Sequence, residues 1–249
     1  MLIYCGDSHT RPFDTPIFDQ VTKEPIFENA KLVWRPGATA GGFPKLDARS
    51  GLRKLYEVAI VDTPPTCVCF NLGQVDVDIV YYYKAMTSDV GDFEDWIEAR
   101  YTSFLDFCTT SSVPYVIKGL NPSCLTSVER IRSHIKRSTM RTFESRVSFR
   151  AALSAIEPLV SLEGHASRNA KANQVLKEMC RDRNLPYFDL RAFLGRPEME
   201  GLAKDEMLSN KFDVHVLDSV AVLRAYREGL KSVLNQHGYG QCLEMERRA

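Results

Sequence analysis

The chain has 249 residues, 44% of them hydrophobic, with 32 basic and 32 acidic side chains. That length supports one large core and is short for two catalytic domains, so a single domain over residues 1–249 is expected. The even charge leaves no global field to gather a nucleic acid, a membrane surface or a basic partner, and no apolar run of ~18 residues could cross a bilayer.

The first residues, Met1-Leu2-Ile3-Tyr4-Cys5-Gly6-Asp7-Ser8, lack the basic start, apolar stretch and small-residue cleavage site of a secretory signal and read as a strand. Seven cysteines, an odd number scattered among apolar neighbours, suit reduced thiols, so a cytoplasmic location is expected.

In chain order, strands are predicted at 2–5, 31–34 and 66–72, then a helix over 92–108 and a strand at 114–118. A helix over 169–183, a strand at 186–190 and a last helix over 219–236 complete the pattern. Strands alternating with helices imply an α/β fold with a parallel sheet. Between 129 and 150, seven basic residues face only Glu129 and Glu144, within a helical insertion expected near 124–168. That stretch reads either as a solvated helical face or as a substrate-side insertion beyond a strand end. It lacks the interleaved aromatics that single-stranded nucleic acid would stack on.

In open α/β sheets ligands bind beyond the carboxyl ends of the strands. Those ends carry Gly6-Asp7-Ser8-His9-Thr10, then 36–42 with Gly37, Gly41 and Gly42, then Gly73-Gln74-Val75-Asp76-Val77-Asp78. Asp213-Val214-His215 precedes the last helix. Acyl transfer has a use for each piece. A serine must lose its proton to attack a carbonyl, and a neutral imidazole within reach takes it, so Ser8 and His215 are the candidate pair. Asp213 is the candidate carboxylate to orient the histidine. The oxyanion needs donors already aimed at it, and the N–H groups of Ser8 and Gly41 are candidates because glycine-flanked loops let backbone approach.

The order of strand and Gly-Asp-Ser, glycine loop, Gly-x-x-Asp, and Asp/His before the final helix resembles the SGNH (GDSL) hydrolase superfamily over nearly the whole chain. That resemblance implies a three-layer α/β/α sandwich around about five parallel strands. It implies hydrolysis or transfer of an ester-linked acyl group, with Ser8 as nucleophile, Gly41 as the oxyanion glycine and His215 as base. Asn121-Pro122 and Phe188-Asp189-Leu190 are also similar to the family.

Two departures stand out. The family's third block is Gly-x-Asn-Asp, whereas here Val75 takes the place of the oxyanion asparagine, leaving Gln74 or Asn71 as substitute donors. The family's acid stands three residues before the histidine, whereas Asp213 stands two before His215 and Phe212 holds the usual place. Asp213 by local adjustment, a Ser-His dyad, or Asp218 would meet that departure. The variant pattern is similar to SGNH-like proteins of polysaccharide and natural-product gene clusters, which implies an O-acyl, for example O-acetyl, ester of a carbohydrate or small metabolite as substrate.

Asp7, His9, Asn71, Asp76, Tyr82 and Lys84 complete the expected substrate contacts. Tyr82 and Lys84, just after the third block, would wall a pocket and hold an anionic group, or else pack half-buried. Asp76 and Asp78 are weak evidence for a cation, and Asp76 is better read as holding neighbouring loop amides, so no metal or cofactor is expected. His134, His165 and His237, among polar neighbours, are expected on the surface. Three functions compete: an esterase or deacylase, an O-acyltransferase using the same Ser8–His215 pair, and a catalytically degenerate fold that binds a ligand or partner.

Overall fold

The computed structural model describes residues 2–13, 30–62, 65–209 and 214–239. Its five predicted strands form one sheet: β1 (Leu2–Gly6), β2 (Ala30–Trp34), β3 (Cys67–Asn71), β4 (Tyr115–Lys118) and β5 (Tyr187–Phe188). The spatial order is β2-β1-β3-β4-β5 and every pairing is parallel, with Leu2 opposite both Ala30 and Cys67. Parallel strands need crossovers. Helix α1 (Leu52–Asp62) links β2 to β3, and α2 (Tyr81–Thr87) and α3 (Phe93–Thr109) link β3 to β4. Three helices, α4 (Val128–Thr139), α5 (Arg146–Ala155) and α6 (Leu162–Asp182), fill the way to β5. The short helix α7 (Arg191–Leu194), the antiparallel pair β6 (Gly195–Arg196) and β7 (Met199–Ala203), and α8 (Val220–Gln236) follow.

Side chains alternate across each strand, and here both faces are apolar because helices cover both. Ile3, Cys5, Val68, Phe70 and Ile117 pack with Tyr56 of α1, Phe104 of α3 and Leu176 of α6. Leu2, Tyr4, Cys67, Cys69 and Val116 pack on the other side with Tyr226 and Leu230 of α8. The result is the three-layer α/β/α sandwich expected from the sequence. Each fully buried leucine or phenylalanine in it contributes about 1.5–3 kcal/mol.

Caps fix where the helices begin. Asp92 accepts Glu94 N–H at 2.7 Å to open α3, and Ser219 accepts Val222 N–H at 3.3 Å to open α8. Ser161 accepts Gly164 N–H at 3.0 Å, so α6 starts at Leu162 rather than at 169. The expected basic insertion holds α4 and α5. In α4 the face bearing Ile131, His134 and Ile135 is buried, while Arg132, Lys136 and Arg137 are exposed.

The strand order places the topological switch at β1, which has β2 on one side and β3 on the other. The loops after these three strands therefore diverge around one crevice. Among the described residues no helix is long and apolar enough to cross a membrane.

Candidate active site

The turn that ends β1 is built by close approach of two strands. A Cβ on Gly6 would meet the Asn71 carbonyl oxygen of β3 and Thr10 Oγ1, both at 2.2 Å, so only glycine lets β1 reach its full length beside β3. Asp7 N–H then donates to that Asn71 carbonyl at 3.3 Å, and a 3-10 turn, Ser8–Phe13, begins. Ser8 is left half-buried at its start, at the carboxyl end of the sheet.

His215 comes to it from the far end of the chain. Val216 bridges Leu208 in antiparallel fashion and Leu217 N–H donates to the Met207 carbonyl at 2.8 Å, which pins the segment leading into α8. The outcome is a contact of 2.8 Å between Ser8 Oγ and His215 Nε2. That geometry lets the imidazole take the hydroxyl proton. A cavity of about 60 Å³ opens on this pair, with His9, Asn121 and Asp218 among its walls. Asp213 lies outside the described residues, whereas Asp218 is exposed at the cavity rim.

The predicted oxyanion donors fare unequally. Gln74 is buried and its Nε2 donates to Asp78 Oδ2 at 2.9 Å, which corrects its assignment as a donor to the reacting carbonyl. Asp76 accepts the Ala40 N–H at 2.7 Å, and the Gly41 N–H also faces that carboxylate. The Gly41 amide is thus shared with Asp76 instead of being held for an oxyanion alone. Val75 is buried and offers no donor.

Several expected substrate contacts hold the site together instead. Asp7 is fully buried, and its Oδ1 takes both the His9 N–H at 2.8 Å and His9 Nδ1 at 3.0 Å. Asn71 Nδ2 donates to the His9 carbonyl at 2.9 Å. Asp76, also fully buried, is paired with Arg100 of α3. Asp7 and Asn71 hold His9 while Asp76 holds Ala40 and Arg100, so these three side chains are corrected from substrate contacts to scaffold, although Asp7 Oδ2 is buried without a partner among the described residues. Tyr82 is another correction: its hydroxyl lies 2.9 Å from His165 Nδ1 and 2.8 Å from Arg168 Nη2 inside an apolar cluster. Lys84 is exposed on α2, away from the cavity walls. His9 alone of this group lines the cavity.

Electrostatics follow from this burial. Burial pulls the His9 imidazole down, but the charge and hydrogen bond of Asp7, helped by Asp78, outweigh it and raise its pKa. Burial pushes Asp78 up to about 6 against the opposing pull of Gln74 and His9. Burial also raises Asp76, opposed by Arg100 and by the Ala40 and Gly41 amides.

His134 and His165, expected on the surface, are buried, and burial lowers them to about 4 and about 3. His134 lies close enough to feel the charges of both His9 and His215. His237 is exposed as expected. Two residues that sequence reasoning missed belong to the site's frame: Arg100, one turn after Trp96 on α3, and His134. Spacing was the available signal for His134, since it falls with Ile131 and Ile135 on one face of α4.

No family pattern and no curated protein sequence matches this chain. Solved structures do. A Bacteroides fragilis protein carrying an acylhydrolase assignment superposes with a TM-score of 0.54 at 12% identity, over 95% of this chain and 86% of that one. A Lactobacillus plantarum protein gives a TM-score of 0.51 at 14% identity, over 95% and 96% of the two chains. With the five-stranded parallel sheet and its two helical layers, these superpositions show that the chain shares the three-layer α/β/α fold of both proteins.

Proposed function

We propose that this chain is an SGNH-type serine esterase or deacylase that removes a short O-acyl group, such as acetyl, from a carbohydrate or small metabolite. The observation that carries this reading is the 2.8 Å contact between Ser8 Oγ and His215 Nε2 at the cavity on the carboxyl end of the sheet. Ser8 Oγ attacks the ester carbonyl carbon while its proton passes to His215 Nε2. The tetrahedral intermediate collapses, the alcohol leaves with that proton, and the acyl group stays on Ser8. Water then attacks the acyl-enzyme, its proton moves to His215, and the carboxylic acid departs as Ser8 regains its hydrogen. Asp213, or failing it Asp218, is the proposed acid beside His215.

Cavity size supports the short acyl group. At roughly 10–15 Å³ per water-sized atom, about 60 Å³ accommodates about four to six of them, enough for an acyl chain of about two to four carbons. The acylhydrolase assignment of the Bacteroides fragilis structure agrees with this reading.

Aryl acetate and butyrate hydrolysis by the wild type, set against Ser8→Ala, tests it. Loss of turnover in a folded Ser8→Ala protein is the expected result; equal turnover would overturn it. A second reading, a binding protein on a degenerate site, draws on the commitment of Gln74 to Asp78 and of Gly41 to Asp76. An acyltransferase would run through the same Ser8 acyl-enzyme, with an acceptor alcohol in place of water.

A further inference from the structure

A second imidazole stands beside the reacting pair, and the acyl-transfer steps leave it without a task. His9 is held from two strand ends. Asp7 Oδ1, after β1, takes its N–H at 2.8 Å and its Nδ1 at 3.0 Å. Asn71 Nδ2, at the end of β3, donates to its carbonyl at 2.9 Å. Neither backbone nor ring of His9 is free to move independently of the sheet.

The other side of that ring faces the base. The His9 and His215 ring centroids are 4.6 Å apart at a tilt of 43°. His9 Nε2 is buried without a hydrogen-bond partner among the described residues, while the Val214 backbone beside the ring favours its charged form. Asp7 and the Val214 backbone thus both favour a ring that carries a proton on each nitrogen. A neutral imidazole can donate from only one of them, whereas an imidazolium donates from both.

Among the described residues, the charged and titratable groups around His9 are Asp7 on its own turn, Asp78 after β3, His134 on α4, His215 itself and Asp218 across the cavity. Val214 in turn packs against the apolar cluster that holds Ile131 and Ile135 of α4. The segment carrying the base is thus set between the α4 cluster on one side and the His9 ring on the other.

We propose that the Asp7–His9 pair is the positioning device for the general base: the sheet-anchored His9 ring, whose charged form Asp7 favours, fixes the orientation of His215 and holds it toward the neutral, proton-accepting form. This rests on the esterase reading above and deepens it. His9 acts through His215 and takes no part in bond making. A positive ring beside His215 disfavours adding a second positive charge there, and the 4.6 Å separation is short enough for that repulsion to be felt.

The test is an NMR titration of His215 in the resting protein, for wild type and His9→Gln, with His9→Asn as the second variant should the first not fold. Loss of the cation is expected to raise the His215 pKa by about one unit. Loss of the ring platform is expected to lower kcat on an aryl acetate by about 10- to 100-fold with little change in KM, as orientation losses do. The low-pH limb of kcat/KM should move upward with the titration. An unchanged His215 pKa in a folded variant would overturn the proposal, as would an unchanged kcat. The titration needs no substrate, so in a protein inactive on every ester, which would sink the esterase reading, the His215 pKa still distinguishes a coupled His9 from an uncoupled one.

Discussion

The Asp76 carboxylate, just after β3, reaches across to the Ala40 N–H of the loop after β2 at 2.7 Å while pairing with Arg100 of α3. One buried acid therefore ties two strand-end loops and a crossover helix into one unit. The pairing lowers the cost of holding that charge fully buried, and the Gly41 amide adjoining it depends on the same carboxylate. Removing Arg100 leaves Asp76 buried without its cation. Arg100→Gln is expected to destabilise the protein by about 2–3 kcal/mol in urea unfolding and to lower kcat more than it raises KM. Unchanged stability would contradict the assignment.

Gly41 belongs to the same unit for a steric reason. A Cβ at that position would lie 2.8 Å from Arg100 Cζ and 3.0 Å from its Nε. Gly41→Ala should push the guanidinium off Asp76 and reproduce the Arg100→Gln loss of kcat. Combining the two substitutions should add little beyond either alone, as for residues that share one network. Full additivity in a double-mutant cycle would show that they act separately.

How much of this was legible in the sequence depends on which force decides each position. Strand positions were plain, because buried parallel strands must be continuous apolar runs, and 2–5 and 114–118 fall within a residue of β1 and β4. Ser8 and His215 were legible as a pair because strand-end placement and chemistry pointed the same way. The polar frame was not. Asp7, Asn71 and Gln74 looked like groups facing a ligand, yet Asp7 and Gln74 are spent within their own turns and Asn71 on the neighbouring loop, whereas the reading of Asp76 as a holder of loop amides matches its bond to Ala40. His165 was misplaced because α6 begins at Leu162, and a helix starting at 169 leaves it outside the apolar face.

The buried histidines set a pH dependence of stability. His134 and His165 are lowered to about 4 and about 3, so their stabilising effect is complete above the unfolded value near 6.5 and is lost as pH falls below it. Asp78, raised to about 6, works the other way: the folded state gains its proton first, so stability from it falls as pH rises from 3.8 to about 6. His9 and Asp76, also raised, act in the same sense as Asp78 and offset part of the histidine effect. Between pH 7 and pH 5 the two lowered histidines are expected to cost the protein stability, measured as a lower urea midpoint. His165→Gln should flatten that slope; a midpoint that rises on acidification would contradict the account.

Chain length is a separate prediction about the cavity. With about 60 Å³ at Ser8 and His215, kcat/KM should be highest for acetyl, propionyl and butyryl aryl esters and fall by about 10-fold or more by octanoyl, whose extra methylenes extend beyond the cavity and gain no contacts within it. A preference that climbs steadily with chain length would mean that the acyl group lies elsewhere.

The most direct measurement is the fate of Ser8 itself. The protein, incubated with an organophosphonate reactive toward activated serines and digested for mass spectrometry, should carry the adduct on the Ser8 peptide, with labelling lost in folded His215→Ala. The 2.8 Å pair requires both results if it is a working nucleophile and base. Ser8 left unmodified in folded wild-type protein, or labelling that persists at the same rate without His215, would contradict the esterase reading.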